Sequence, residues 1–544
     1  MTRRFLVLAC LAAPSLLAVA ALPGAQASTD APSGGIFRVS FQGSNSLQAF
    51  DNVDPALAYT RESWTLLDTV CARLMRYRDQ PPPQGYQLVP EVAAAPPVVS
   101  RGGRTWTFRL RTGFRFSDGR PVRADAFSQA IHRTMAPGID SPGYLYTRVI
   151  VGAEDVHAGR RARATGVVAR GRTLAISFTR PVGAFDAWTT MPFFCAVPPT
   201  LPPSAEGVRR FPGSGPYAVE EYRPDDRITI RRNRYYGGDR VHHVDGFDVD
   251  LHANSPEEVL GRIEAGRADW GYTLPQPAFL PSRRLIDKYG INDSRFWVTP
   301  GLTLAIFALN SARPLFKDNP GLRRAVNLAL DRSQFINEKS VSTVTDQLVP
   351  PGVPGFTDRT IYPRTGDRVR AKALTAAYLR GGKIVLYVPD LPGMIGCAQC
   401  VARHLAEIGL EVEIRPFAEW STASAYLGRL GDPDEPWDMA LLLWTPDFVD
   451  PYGYFNRLLD TQDAGGTNLA RFDEPKYIRE MRDAARLRGA DRRKVYAQLD
   501  LELSRDAAPL VPFFVLNEAT LLSARVGCQL LRPALVLTTV CLKR

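Results

Sequence analysis

The sequence has few histidines, no block of like charge, no repeats and, past its first 27 residues, no long apolar run. The six histidines are His132, His157, His242, His243, His252 and His404. None stands in His-Glu-x-x-His, so the helical zinc motif of metalloproteases is absent. No Gly-x-Ser-x-Gly elbow presents a nucleophilic serine, and no Gly-rich loop could cradle phosphates. The excess of 67 Lys+Arg over 56 Asp+Glu, a net +11, is diluted by acidic residues in every region. No basic stripe or tail forms, which speaks against a nucleic-acid partner. A multispan membrane protein is excluded because it would need several apolar runs of about 20 residues.

What remains is globular composition: 45% hydrophobic and 23% charged side chains over 544 residues. That length alone suggests three or four domain-sized units. The 43 glycines and 44 prolines suggest many turns. At the N-terminus, Arg3-Arg4 precedes an apolar stretch from Phe5 to Leu22, and Ala25-Gln26-Ala27 offers small residues to a signal peptidase. Residues 1–27 read as a cleaved export signal with a mature start near Ser28; Pro14, Pro23 and Gly24 disfavour an uncleaved anchor helix. Arg3-Arg4-Phe5-Leu6 is a loose match to a twin-arginine signal. Cys10 lies inside the apolar run, too early for a lipoprotein site.

Cleavage removes Cys10, Arg3 and Arg4, leaving six cysteines and a charge of +9. An even number in an exported chain predicts disulfides. Cys528 and Cys541 flank a short segment they would clip down, and Cys71 with Cys195 is the remaining pair. Cys397-Ala-Gln-Cys400 suits a local disulfide at a helix start better than a redox motif or half a zinc site, since no second Cys/His cluster accompanies it.

Alternating apolar residues predict strands at 36–41, 106–111, 174–178, 228–233, 247–251, 298–310, 384–388, 412–414 and 439–444. Helical spacing predicts helices at 63–77, 124–135, 257–265, after Asn319-Pro320, at 400–408, 475–488 and 491–505. The proline-bounded run Pro192–Pro199 is a candidate crossing between lobes. Strands and helices alternate throughout, so the class is α/β.

Two clusters invite a catalytic or metal reading. His242, His243, His252 and Asp250 could ligate a metal, but the spacing fits no standard pattern and adjacent strand residues face opposite ways. Asp248 and Asp250 share a strand face, which more often means a solvated sheet surface than paired acid and base. His132 and His404 fall within helices as structural histidines. No catalytic residues, metal or cofactor are expected, and the chain is read as no enzyme.

The ordered segments resemble the family 5 extracellular solute-binding proteins of ABC transporters, the oligopeptide-, dipeptide- and nickel-binding group. The strongest marker is Phe116-Ser117-Asp118-Gly119 with Pro121, Ala124 and Asp125. It is followed by Gly213-Ser214-Gly215-Pro216-Tyr217, Arg232-Asn233-Arg234-Tyr235-Tyr236 and Ala265-Gly266-Arg267-Ala268-Asp269. Leu322-Arg323-Arg324-Ala325-Val326 through Asp331-Arg332 and Trp444-Thr445-Pro446-Asp447-Phe448-Val449-Asp450-Pro451 complete the set. Each is weak alone; their order spans nearly the whole mature chain. As residues, the first two cassettes read as turns, and Asp125 complements a helix dipole.

The resemblance implies a two-lobed, type II periplasmic-binding-protein-like α/β fold with an additional α/β domain and a hinged cleft. Lobe I would comprise 28–56, 186–297 and 508–544, the additional domain 57–185, and lobe II 298–507, with crossings near Thr299 and Ala508. It implies a monomer that captures a short peptide or other small solute, delivers it to ABC permease subunits, and meets the membrane only through them. By resemblance Asp447 would hold a ligand α-ammonium, the alternative being a turn residue before Asp450-Pro451. Trp444 and Phe448 would wall the pocket, Gln42, Gly43, Ser44 and Asn45 would offer backbone contacts, and Trp420 and Tyr454 complete the candidates. Other solutes (an oligosaccharide, an opine, a nickel complex), a sensor role and a secreted hydrolase are the alternatives. The lipid-anchored cysteine that many family members carry has no counterpart here.

Overall fold

The structure is a computed structural model that describes residues 32–43, 50–272, 280–336, 342–417, 423–460 and 467–543. The expected export signal and its cleavage site, and the candidates Ser44, Asn45 and Trp420, lie outside the described residues.

Two large mixed sheets carry the fold. The first runs in the order Trp270–Gly271, Ile36–Gln42, Gly246–Ala253, Arg227–Arg232, Tyr217–Arg223, with the opening strand parallel to both neighbours. Along Gly246–Ala253 the apolar Phe247, Val249 and Leu251 are buried, while Asp248 and His252 face water. The second sheet runs Ser342–Val344, Leu510–Leu521, Phe296–Leu309, Met439–Trp444, Ile384–Pro389, Val412–Phe417. Its Met439–Trp444 strand is apolar at nearly every position because both its faces are buried, Met439 and Leu441 in one apolar cluster and Ala440 and Leu442 in another. A four-stranded antiparallel sheet of Val98–Ser100, Thr105–Arg109, Thr173–Ser177 and Val167–Arg170 packs on the helix Ala124–Met135.

The long strands Phe296–Leu309 and Leu510–Leu521 link the two large sheets. Their Phe296 and Leu521 ends pack with Val259 and Ile263, beside the first sheet. Their Ala305–Leu309 and Val511–Leu516 stretches pack into the core of the second. The pairing slips between Thr299 and Thr303, so the two strands bend together where they pass from one core to the other.

The cassettes singled out in the sequence act as joints. Gly213-Ser214-Gly215 caps the helix Arg61–Val70: the Ser214 and Gly215 amides both donate to the Val70 carbonyl, at 3.0 and 2.9 Å. A Cβ on Gly215 would stand 2.6 Å from the Thr69 carbonyl oxygen, so no larger residue fits. Buried Asn233 donates to the Gly215 carbonyl at 3.0 Å and the Arg115 carbonyl at 3.2 Å, tying that turn to the Phe116–Gly119 turn. Asp269, fully buried, accepts from the Arg38 amide and guanidinium and from Ser523 Oγ. Arg323 and Arg332 lie buried against the carbonyls of Ala507 and Pro512. These residues build the scaffold.

Several expectations are corrected. The helix predicted over 63–77 spans Arg61–Val70, and Met75–Tyr77 instead pairs as a strand with Leu88–Pro90. The chain leaves the helix at Cys71, whose disulfide to Cys195 and the Gly213–Gly215 cap end it there. Pro192–Phe194 is a buried single turn between the cores of the four- and five-stranded sheets, not the crossing between the two large ones. The helix predicted over 400–408 starts eight residues earlier, at Pro392, so Cys397 and Cys400 lie in its interior. Both are free thiols, 7% and 6% exposed, and burial pushes the Cys397 thiol up to about 12. The expected Cys397–Cys400 disulfide is therefore not formed, whereas Cys71–Cys195 and Cys528–Cys541 are.

Thiolates, not thiols, react with alkylating and disulfide reagents, so buried high-pKa thiols are protected. In a chain lacking residues 1–27, a colorimetric thiol reagent should label no cysteine in the native protein and two per chain in denaturant. Labelling of none in denaturant would show that Cys397 and Cys400 are oxidised after all.

Candidate functional site

The loop Trp444–Tyr454 follows the second sheet's Met439–Trp444 strand and is held at several points. Trp444 Nε1 donates to the Gly453 carbonyl at 2.7 Å, closing the loop on itself. Thr445 and Thr303 share a hydroxyl hydrogen bond of 2.7 Å, tying the loop to the linking strand. Asp450 takes the turn role: it accepts the Tyr452 amide at 2.9 Å and a two-pronged bond from Arg492 at 2.7 and 3.0 Å. Asp447 is thereby released from capping duty.

Its carboxylate is met by groups distant in sequence. Tyr59 donates its hydroxyl to Asp447 at 3.1 Å, and Tyr146 Oη donates to Oδ2 of the same carboxylate. Arg457 Nη2 stands 3.7 Å from Oδ2, with its guanidinium 5.6 Å over the Tyr146 ring. Burial, together with the Asp447 charge, holds both tyrosine hydroxyls protonated far above their ordinary range, so they remain donors. Burial alone would lower Arg457, but Tyr146 and Asp447 beside it hold its charge firmly. The Asp447 side chain keeps 17% of its surface open. A negative charge with two fixed hydroxyls suits an ammonium group, which can bond the carboxylate and both phenol oxygens.

The segment carrying Tyr59 is placed by two aspartates. Asp54, fully buried, is gripped by Arg133 at 2.6 and 2.7 Å, so the helix Ala124–Met135 fixes the loop's start. Asp51 accepts the Tyr59 amide at 2.6 Å and the Thr60 hydroxyl at 3.0 Å. Thr60 then caps the helix Arg61–Val70. In its first turn Arg61 pairs through Nη2 with Glu518 of the linking strand Leu510–Leu521, and its guanidinium lies 4.8 Å over the Tyr272 ring. Tyr272 in turn donates to Glu518 at 3.2 Å. Glu62, next along, is 2% exposed and its Oε1 has no hydrogen-bond partner. Burial pushes its carboxyl up to about 8.

Of the predicted site residues, Trp444, Asp447, Phe448 and Tyr454 come together on one loop. Phe448 lies 3% exposed among Tyr146, Trp188 and Tyr452, a packing position behind Asp447. Tyr454 is fully buried and donates to the Leu302 carbonyl at 2.7 Å. Gln42 and Gly43 end the first strand on the other large sheet, where Gly43 donates to the Ala253 carbonyl at 3.0 Å. Tyr59, Arg61, Tyr146, Arg457 and Glu518 were missed. No local pattern marks them, because each is drawn in by a contact spanning long sequence; only Arg457, ten residues after Asp447, is near it in the chain.

The metal candidates are engaged otherwise. His252 faces Asp250 at 3.2 Å and Asp226 at 3.5 Å on an exposed surface, and Asp250 is paired with Arg262. Asp248 pairs with Arg231 at 2.8 Å. Among the described residues no three His, Cys, Asp or Glu side chains converge on a metal position, and no helix is long and apolar enough to cross a membrane.

The profile of the bacterial extracellular solute-binding proteins, family 5 (middle part), matches residues 87–466, and the chain belongs to that family. It is 25% identical over 409 residues to the oligopeptide-binding protein OppA of Bacillus subtilis, covering 70% of this chain and 71% of that one. It is 26% identical over 448 residues to the probable deoxycholate-binding periplasmic protein YgiS of Escherichia coli, covering 78% and 80%. The structure of clavulanic acid biosynthesis oligopeptide binding protein 2 superposes with a TM-score of 0.83 at 24% identity, covering 94% of this chain and 96% of that one. The fold is accordingly the two-lobed type II binding-protein fold.

Glu62 makes a pH prediction. Its folded pKa of about 8 exceeds the ordinary 4.5, so between those values the unfolded chain has lost a proton that the folded chain retains. That group's contribution therefore falls as pH rises through this window and is level outside it. Glu62→Gln should be more stable than the parent at pH 8, by on the order of a few kcal/mol, and match it near pH 4. Denaturant midpoints at the two pH values check this; an equal difference at both would refute it.

Proposed function

We propose that this family 5 chain is the solute-capturing component of an ABC importer: it takes a short peptide into the cleft by hinge closure and delivers it to the membrane permease. The observation that carries the reading is the Asp447 carboxylate, anchored on one lobe and reached by Tyr59 and Tyr146 from the other side of the cleft. Closure removes water from the ligand, and a peptide's α-ammonium must then find a fixed negative charge. A ligand that touches both walls stabilises the closed state by its differential affinity for it. Trp444 borders the Asp447 loop, and main-chain contacts from Gln42 and Gly43 would hold the peptide backbone without regard to its side chains.

In this reading the chain binds without chemical conversion, acts as a monomer on the outer side of the cytoplasmic membrane, and reaches it through residues 1–27 as an export signal. The lobes divide as 28–56, 186–297 and 508–544 against 298–507, with 57–185 as the additional domain. The name of the Bacillus relative supports a peptide; that of the Escherichia coli relative keeps a bile-acid-like anion as the second reading.

Two measurements test it. Mass spectrometry of ligand carried through native purification should reveal short peptides; a steroid acid, sugar or metal complex would overturn the peptide reading. By calorimetry, Asp447→Asn should weaken binding of free-amine peptides about tenfold or more, roughly 1.4 kcal/mol. N-acetylated peptides should bind the parent weakly and be indifferent to the substitution. Equal affinity for free and acetylated peptides would remove Asp447 from this role.

A further inference from the structure

A peptide enters a closed cleft as a zwitterion, and Asp447 accounts for only one of its charges. Two residues beyond Tyr59, along the same wall, stands Arg61. Its guanidinium is fixed by two contacts: Nη2 to Glu518, and the Tyr272 ring 4.8 Å below its plane. Glu518 is itself held, its other oxygen accepting from Tyr272 at 3.2 Å. It sits on Leu510–Leu521 opposite Thr299, at the bend where the linking strands pass between the lobes. Arg61 is thus an immobilised planar cation beside the bend of the linking strands, two residues from the Tyr59 that donates to Asp447.

Arg61 is not used up by these contacts. A guanidinium has five N–H donors, and Glu518 takes Nη2. Among the described residues, Nε and Nη1 form no hydrogen bond, and one third of the side chain (33%) remains open. The neighbouring Glu62 is buried with its carboxyl pushed up to about 8, so at neutral pH it adds no negative charge. A planar, preorganised guanidinium with donors to spare is the arrangement that recognises carboxylates, because little side-chain entropy is lost on binding.

We propose that Arg61 is a carboxylate-recognising position of the same cleft, pairing the negative group of the ligand whose ammonium is held at Asp447. This rests on the peptide reading above. The carboxylate is supplied by the peptide's C-terminus or by an acidic side chain, and Glu518 with Tyr272 positions Arg61 to receive it.

Calorimetry with four peptides separates these sources: Ala-Ala-Ala and its C-terminal amide, then the amides of Ala-Glu-Ala and Ala-Gln-Ala. The parent protein should favour the acid over the amide about tenfold or more if the terminus is read, and Ala-Glu-Ala-amide over Ala-Gln-Ala-amide if the side chain is. Arg61→Gln should collapse that ratio to about one by weakening the carboxylate-bearing peptide alone. Arg61→Lys, which retains the charge and its pairing with Glu518, should give an intermediate ratio and serves if the glutamine variant does not fold. Equal affinity of the parent for both members of both pairs would overturn the proposal, as would a preference that survives in Arg61→Gln or, where only the lysine variant folds, one undiminished in Arg61→Lys. These failures leave N-acetyl discrimination at Asp447 intact. Failure to bind any of the four would instead overturn the peptide reading, and this proposal with it.

Discussion

A carboxylate withdrawn from water needs donors, and Asp447 draws its donors from segments far apart in the chain. Arg457 approaches from its own lobe; Tyr59 and Tyr146 come from segments some 390 and 300 residues earlier. Because an unpaired buried charge is costly, the conformation in which both tyrosines reach Asp447 is favoured over one in which the walls part and leave it half-satisfied. In the function proposed above, the same carboxylate serves closure and recognition. An ammonium that replaces or joins the tyrosine hydroxyls inherits a site already built for charge.

That arrangement works only if its walls are stiff. On one side, the buried Asp54–Arg133 pair and the Asp51 bonds to Tyr59 and Thr60 fix the loop that precedes the helix Arg61–Val70. The far end of this helix is locked by Cys71–Cys195 and by the Gly213-Ser214-Gly215 cap. On the other side, Asp450–Arg492 and Thr445–Thr303 hold the loop bearing Asp447. Val449 even donates its amide across the junction to Tyr77 Oη at 2.8 Å. In the proposed hinge closure, movement falls to the linking strands, where the pairing slips between Thr299 and Thr303.

The C-terminal segment adds a brace at this hinge. Clipped by Cys528–Cys541, it offers the Pro533 carbonyl to Thr299 Oγ1 at 2.8 Å, and Arg532 donates to the carbonyls of Tyr77 and Arg78. The hinge, the additional domain and the chain's end are thus joined within a few residues. Cys397 and Cys400, by contrast, are free thiols packed into the apolar core of the six-stranded sheet.

Local patterns determined much here. Period-two alternation marked most strands, the spacing of Leu322, Ala325, Val326 and Ala329 marked a core-facing helix, and the glycines of the turn cassettes marked joints, because strand pleat, helix repeat and backbone clearance act over a few residues. Asp447 was singled out through its cassette. Limits appeared where distant contacts override local preference: the helix expected to run to Tyr77 stops at Cys71, and the expected Cys397–Cys400 bond gives way to a helix begun at Pro392. The partners of Asp447 and Arg61 left no trace in sequence, since a tyrosine or glutamate hundreds of residues away carries no local mark of what it will touch. Sequence determined the elements, the turns and the charge that needed satisfying. Only the tertiary structure decided which hydroxyls and cations satisfy it, because chain ends that local chemistry cannot relate are brought together by the packing of two lobes about a shared pair of strands.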